Sequence, residues 1–210
     1  MPDDYDDRDI FISGETPGST LEWNLKIYNK SCYLYLADRD KSPMAQKLNA
    51  FRLALVRRYC GEGRLLDIGI GAGTFLKLHG NCLGYDINPY AVAILKKRKL
   101  WFNPYRGDFK KRGIVGVTFF DSLEHIEDPI RLIERFGDQI MFVSTPIFYT
   151  PKHMMTSKHF KPGEHAWHFF PSQFKNLMHI CGYEIVEDLR DETLIGRTDI
   201  RTYVLKRKKG

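Results

Sequence analysis

The sequence predicts an α/β three-layer sandwich. Its core is a seven-stranded, mostly parallel sheet with helices on both faces and an antiparallel strand pair at the C-terminal end. Three observations predict it. Short apolar runs without helical spacing alternate with segments of helical period, as in repeated strand–helix units. Capping residues followed by proline mark helix starts at Ser42-Pro43, Asn88-Pro89 and Asp128-Pro129. Residues 184–189 and 200–205 are joined without the crossover helix that parallel neighbours require, so they pair antiparallel.

The elements follow in order. Residues 1–20 are acidic, then rich in Gly, Pro, Ser and Thr, and read as a loose arm. Residues 21–210 read as one domain with N-terminal helices. Within them Ala45, Leu48, Phe51, Leu55 and Tyr59 recur at three- and four-residue steps, the stripe of an amphipathic helix. Gly61 and Gly63 stop that helix before the first strand. A helix follows Asn88-Pro89 to about residue 99, and a short third strand is expected near 104–106. Residues 115–120 and 139–144 read as buried strands, with a helix between them from Asp128-Pro129 to about 136. The segment 147–170 is long for a connection. It is expected to cover a substrate, with Phe148, Tyr149, Trp167 and Phe169 as its walls. A helix over 171–181, stopped by Gly182, precedes the terminal strand pair.

The chemistry concentrates after the first strand. Arg64-Leu-Leu-Asp-Ile-Gly-Ile-Gly-Ala-Gly-Thr-Phe75 reads as a strand running into a glycine-rich turn and a short helix. Gly69, Gly71 and Gly73 remove side chains where a ligand approaches the backbone, and the helix behind them presents free N–H groups. Asp86, with Ile87 beside it, ends the second strand, where an acid accepts hydrogen bonds from two ribose hydroxyls. A dinucleotide loop needs G-x-G-x-x-G, but Thr74 stands where its last glycine would fall, and the acid Asp67 precedes the loop. That acid suits a cationic cofactor and repels an anionic one. Asp67-x-Gly-x-Gly-x-Gly followed by a strand-end acid resembles the first two motifs of class I S-adenosyl-L-methionine (SAM) dependent methyltransferases. The resemblance covers about residues 45–205. It implies a Rossmann-like fold, SAM as cofactor, and a methyl-transfer activity. It also implies that Asp108 accepts a hydrogen bond from the adenine amino group, with Phe109 forming an apolar wall.

Asp121-Ser-Leu-Glu-His125 resembles the E-x-x-E-H element of the ubiquinone-biosynthesis O-methyltransferases and of the small-RNA 3′-terminal 2′-O-methyltransferases. His165, in Gly163-Glu-His-Ala-Trp-His168, falls at the place of those families' later histidine. The resemblance implies that Asp121, Glu124, His125 and His165 hold a divalent metal that binds the acceptor hydroxyl. Asp121 also lies on the cofactor's side of the sheet edge. Two carboxylates and two imidazoles suit Mg, Mn, Fe or Zn alike. Asp121 is one methylene shorter than the family's glutamate. The same string occurs in small-molecule methyltransferases where the histidine serves as a general base, so His125, Glu124 and His165 are the catalytic candidates on either reading. Asn88-Pro-Tyr90 and Asn103-Pro-Tyr105 sit at the wrong places for the motif of DNA amino-methyltransferases.

Composition bounds the partners. The 210 residues are 43% hydrophobic and 28% charged, ordinary values for a soluble domain. No apolar run approaches the roughly 20 residues needed to span a bilayer, and the acidic start lacks a signal core, so a cytoplasmic protein is expected. Cys32, Cys60, Cys82 and Cys181 have no metal-ligand spacing and read as thiols of a reducing compartment. Net charge is +6, but residues 1–22 carry seven acids against one arginine. Basic clusters at 96–99, 110–112 and 206–209 attract nucleic acid or an anionic small molecule on one reading; on the other they are solvated helix ends and a tail. A small-molecule hydroxyl is the expected acceptor. RNA ribose is the alternative, and a SAM-binding subunit without turnover, or an NAD-binding oxidoreductase, are readings from other classes.

Overall fold

The computed structural model describes residues 28–208; the expected acidic arm, residues 1–20, lies outside them. Two helices lead, α1 (Lys30–Arg39) and α2 (Pro43–Cys60). Asn29 caps the first through its side chain, and Ser42 caps the second by accepting from Ala45 N. There follow β1 (Arg64–Ile68), α3 (Thr74–His79), β2 (Cys82–Tyr85), α4 (Pro89–Lys97), β3 (Ile114–Phe120) and a 3-10 turn over Leu123–His125. The chain ends with α5 (Pro129–Ile133), β4 (Ile140–Pro146), α6 (Pro151–Thr156), α7 (Pro171–Ile180), β5 (Tyr183–Leu189), α8 (Asp191–Leu194) and β6 (Ile200–Arg207). Asn88 and Asp128 cap α4 and α5 as their sequence spacing implies.

The strands form one six-stranded sheet in the order β2-β1-β3-β4-β6-β5. The first four are mutually parallel, and β6 is antiparallel to both β4 and β5. The expected count of seven is therefore one too many. The segment near 104–106 is a turn, closed by Asn103 Oδ1 accepting from Tyr105 N at 2.9 Å. Pro104 has no N–H to continue a ladder. The place of a strand beside β2 is taken by a single parallel bridge, Gly84 to Trp101.

Alternate residues of each strand serve opposite layers. On one face Leu66, Ile68, Val117, Phe119, Met141 and Val143 pack against α5 and α7. On the other, Leu65, Phe142 and Val204 meet Leu55 and Val56 of α2, Phe75 of α3 and Ala91 of α4. The segment 147–170 anchors its two ends in this core, while Lys158, His159, Lys161, Glu164 and His165 between them line a cleft. Phe148 and Phe169 are buried, Trp167 packs against the first layer and Tyr149 is exposed; none of the four lines that cleft, so they are not its walls. No helix among the described residues is long and apolar enough to cross a membrane.

Candidate active site

Strand order reverses between β1 and β3, and a crevice opens beyond the carboxyl ends of such strands. Gly69 leaves β1 there at φ 81°; a Cβ on it would lie 2.4 Å from the Ser122 Cβ at the end of β3. Ser122 Oγ donates to the Ile68 carbonyl at 2.5 Å, locking the two strand ends together. Gly71 and Gly73 also adopt positive φ, 55° and 73°, so the loop has a backbone that side-chain-bearing residues rarely take. Tyr33 of α1 donates to the Ala72 carbonyl at 3.1 Å, laying the leading helix across the loop.

A cleft of about 910 Å³ lies over this loop. Its lining includes the expected Asp67, Gly69, Gly71, Asp86, Ile87, Asp121, Glu124, His125 and His165. Gly73 stands just behind it as the residue before α3. Asp108 and Phe109 are not brought to it. Asp108 Oδ1 accepts from Lys111 N at 2.9 Å, capping a turn on the outer edge, and Phe109 is buried between Phe102 and Phe136. With no third strand to carry Asp108 up to the crevice, Tyr85 and Tyr105 line that end instead.

The cleft carries two acids, Asp67 buried and Asp86 half-buried. Asp67 accepts from Thr118 Oγ1 at 2.6 Å, and burial pushes its carboxyl up to about 6. Asp86 accepts from Gly71 N at 3.1 Å and Asn88 N at 2.8 Å; burial raises it to about 6 as well. Neither is ion-paired among the described residues. Two desolvated carboxylates beside a glycine-rich loop fit a cofactor that brings a cation and ribose hydroxyls, which is SAM rather than NAD.

Asp121 has a different occupation. At φ 61° it receives Arg197 Nη1 and Nη2 at 2.9 and 2.8 Å, and Arg52 Nη2 at 2.9 Å. The same arginines reach fully buried Glu192, Arg52 Nε at 2.9 Å and Arg197 Nη1 at 2.6 Å. Although burial opposes it, the two guanidiniums hold the Asp121 carboxyl well below the usual range. A carboxylate saturated by two guanidiniums is not free to ligate a metal, so the expected four-residue ligand set does not assemble. Arg52, Glu192 and Arg197 were not foreseen. Arg52 had a signal, a charge standing on the buried stripe of α2; Arg197 follows α8 and had none.

Glu124, His125 and His165 do converge, with one ligand-capable atom from each lying within 4.8 Å of the others. Ala166 N and Trp167 N both donate to the Glu124 carbonyl, at 2.8 and 3.0 Å, and this clamp sets His165 against the 3-10 turn. The two imidazoles meet edge to face, centroids 4.7 Å apart. His125 Nδ1 lies 3.1 Å from the Glu164 carbonyl and 3.4 Å from the Tyr28 hydroxyl; the nearer partner only accepts, which favours the proton on Nδ1 and the lone pair on Nε2. His165 is 4% exposed and its Nδ1 has no hydrogen-bond partner. Burial and the neighbouring His125 push His165 down to about 2, and burial lowers His125 too, so both rings are neutral. Burial and the Asp121 charge raise Glu124 to about 8. Two neutral imidazoles around an orphaned buried nitrogen, with Glu124 once an incoming cation has displaced its proton, form a donor set that fits a divalent ion.

No curated protein matches the chain in sequence. Among solved structures, a SAM-dependent methyltransferase from Thermotoga maritima, described as a possible histamine N-methyltransferase, is similar with TM-score 0.61 and 15% identity over 90% of this chain and 100% of that one. The Burkholderia thailandensis 1,6-didemethyltoxoflavin-N1-methyltransferase is similar with TM-score 0.60 and 13% identity over 98% of each chain. Magnesium protoporphyrin IX methyltransferase from Synechocystis, solved with SAM bound, gives 0.53 and 12% over 94% and 88%. At these identities the likeness is one of fold. The family model described as a methyltransferase domain matches residues 29–188, and on that match together with the glycine loop and its two acids the chain belongs to the methyltransferase-domain family, as a class I SAM-dependent methyltransferase.

Proposed function

We propose that the chain methylates a hydroxyl of a small molecule, and that Glu124, His125 and His165 hold a divalent metal at the place where that hydroxyl sits. The convergence of these three side chains at the cleft carries the reading. SAM supplies an electrophilic methyl group, so the protein's work is to orient the acceptor and to take its proton. A divalent ion on these ligands would lower the hydroxyl's pKa, so that its proton could pass to water before the methyl group is transferred. On this reading Asp86 takes the ribose hydroxyls, and Asp67, through the loop beside it, favours the cationic end of the cofactor. Asp121, bound by Arg52 and Arg197, fixes the strand end from which the turn of Glu124 and His125 departs. A second reading rests on the His125 tautomer: its free Nε2 lone pair suits a general base acting directly on the hydroxyl.

Titration calorimetry with Mn²⁺ on the SAH-saturated protein tests the metal reading apart from turnover. A single site is expected, with affinity lowered at least tenfold in His165→Ala. The S-adenosylhomocysteine formed with catechols, phenols, sugars and total RNA at low salt then identifies the acceptor class. No metal site, with turnover that survives chelators and is lost in His125→Ala, would replace the metal by the general base. Transfer to RNA alone would replace the small molecule by ribose.

A further inference from the structure

Residues 96–112 contain eight lysines and arginines and a single acid, Asp108. Trp101 bridges to Gly84 on β2, the last strand on that side of the sheet, and Arg106, Lys111 and Arg112 lie beside it around one groove. Lys96, in the last turn of α4, places its ammonium 5.0 Å from the centre of the Trp101 ring. A shallow groove of about 320 Å³ is lined by Trp101, Arg106, Lys111 and Arg112, among others. Arg64, at the start of β1, donates to the Arg112 carbonyl at 3.0 Å and adds a further cation at that end. All eight cations are exposed, and among the described residues none is ion-paired. The Trp101 indole N–H is buried without a hydrogen-bond partner.

Like charges at this density repel one another and are tolerated where a polyanion neutralises them. The groove's concavity favours a strand over a bilayer, which would need protruding apolar anchors. The large apolar side chain exposed beside it is Tyr105, a flat ring at the rim it shares with the cleft. A basic track interleaved with aromatic rings is the pattern that follows a phosphodiester backbone and stacks on its bases. The geometry points to a docking surface for single-stranded nucleic acid along residues 96–112. This surface is separate from Glu124, His125 and His165 and does not depend on what the acceptor is.

Fluorescence anisotropy of the full chain with a labelled 20-nucleotide oligo(U), from 20 to 200 mM salt, tests it. For about four phosphate contacts the slope of log K against log salt is about −3, and the triple variant Lys110→Ala/Lys111→Ala/Arg112→Ala flattens it by about 2. The pair Lys96→Ala/Lys97→Ala flattens it by about 1, guarding against misfolding of the triple. Lys47→Ala/Lys152→Ala/Lys175→Ala removes the same charge elsewhere and leaves both slope and affinity within about twofold. The proposal is overturned by absence of binding at 20 mM salt or by equal losses in the control triple. It is likewise overturned if inorganic phosphate competes as well as the strand, or if vesicles of 30% phosphatidylserine bind and the oligonucleotide does not.

Discussion

Asp67 shows at the scale of one residue how the site opposes stability. Its carboxyl is raised by burial from an ordinary 3.8 to about 6, so the native chain takes up this proton at a higher pH than the unfolded chain does. The stability linked to it is therefore complete below about pH 4 and is lost as pH rises through 6. Asp67→Asn keeps the oxygen that accepts from Thr118 but cannot ionise. The variant without cofactor is expected to melt a few degrees above the wild type at pH 7, a gain of up to about 3 kcal/mol that vanishes at pH 4. Its SAM affinity by calorimetry is expected to fall at least tenfold. Equal melting temperatures at pH 7, or unchanged SAM affinity, would show that this acid is neither strained by burial nor used by the cofactor. Much of this was legible beforehand. The three glycines, Asp67 and Asp86 stand at the strand ends by the cleft, and Glu124, His125 and His165 meet although 39 residues of chain separate the last two. Asp121 and Asp108 were legible as acids but not in their partners, because a carboxylate's use depends on which cations and turns the tertiary fold delivers. Arg197 arrives from a distant loop, and the turn over Lys110–Arg112 claims Asp108 locally.

At the scale of elements, α1 is the part most able to respond to ligand. It has no fully buried residue, and its ties to the body include Tyr33 to Ala72 and the Asn88 side chain to the Asn29 carbonyl. Few buried contacts mean low local stability. Hydrogen exchange at residues 30–39 is accordingly expected to slow by at least tenfold when SAH is added, while β3 and β4 change little. Equal protection with and without SAH would remove α1 from the cofactor's site. Helix starts were read well wherever a capping side chain preceded proline, since that local chemistry fixes the first turn without tertiary help. The edge bridge at Trp101 and the one-turn α8 were not read. Neither has a period long enough to detect, and both exist because of what lies beside them, Gly84 in one case and the Arg52–Glu192 pair in the other.

For the whole molecule, the order of strands does the assembling. The reversal between β1 and β3 brings the glycine loop, Asp86 and the turn of Glu124 and His125 to one edge. The β4-to-α7 segment then adds His165, and Tyr28 with Leu36 of α1 and Arg52 of α2 lines the other side. The candidate cofactor and acceptor groups thus lie on one crevice, and the basic groove by Trp101 is a separate concavity. A crystal structure of the complex with S-adenosylhomocysteine and Mn²⁺, with anomalous scattering recorded for the metal, tests this arrangement most directly. The account predicts ribose hydroxyls on Asp86 and one anomalous peak at roughly 2.0–2.3 Å from Glu124, His125 and His165. A cofactor that leaves Asp86 uncontacted, or no peak among those three side chains at saturating Mn²⁺, would contradict it.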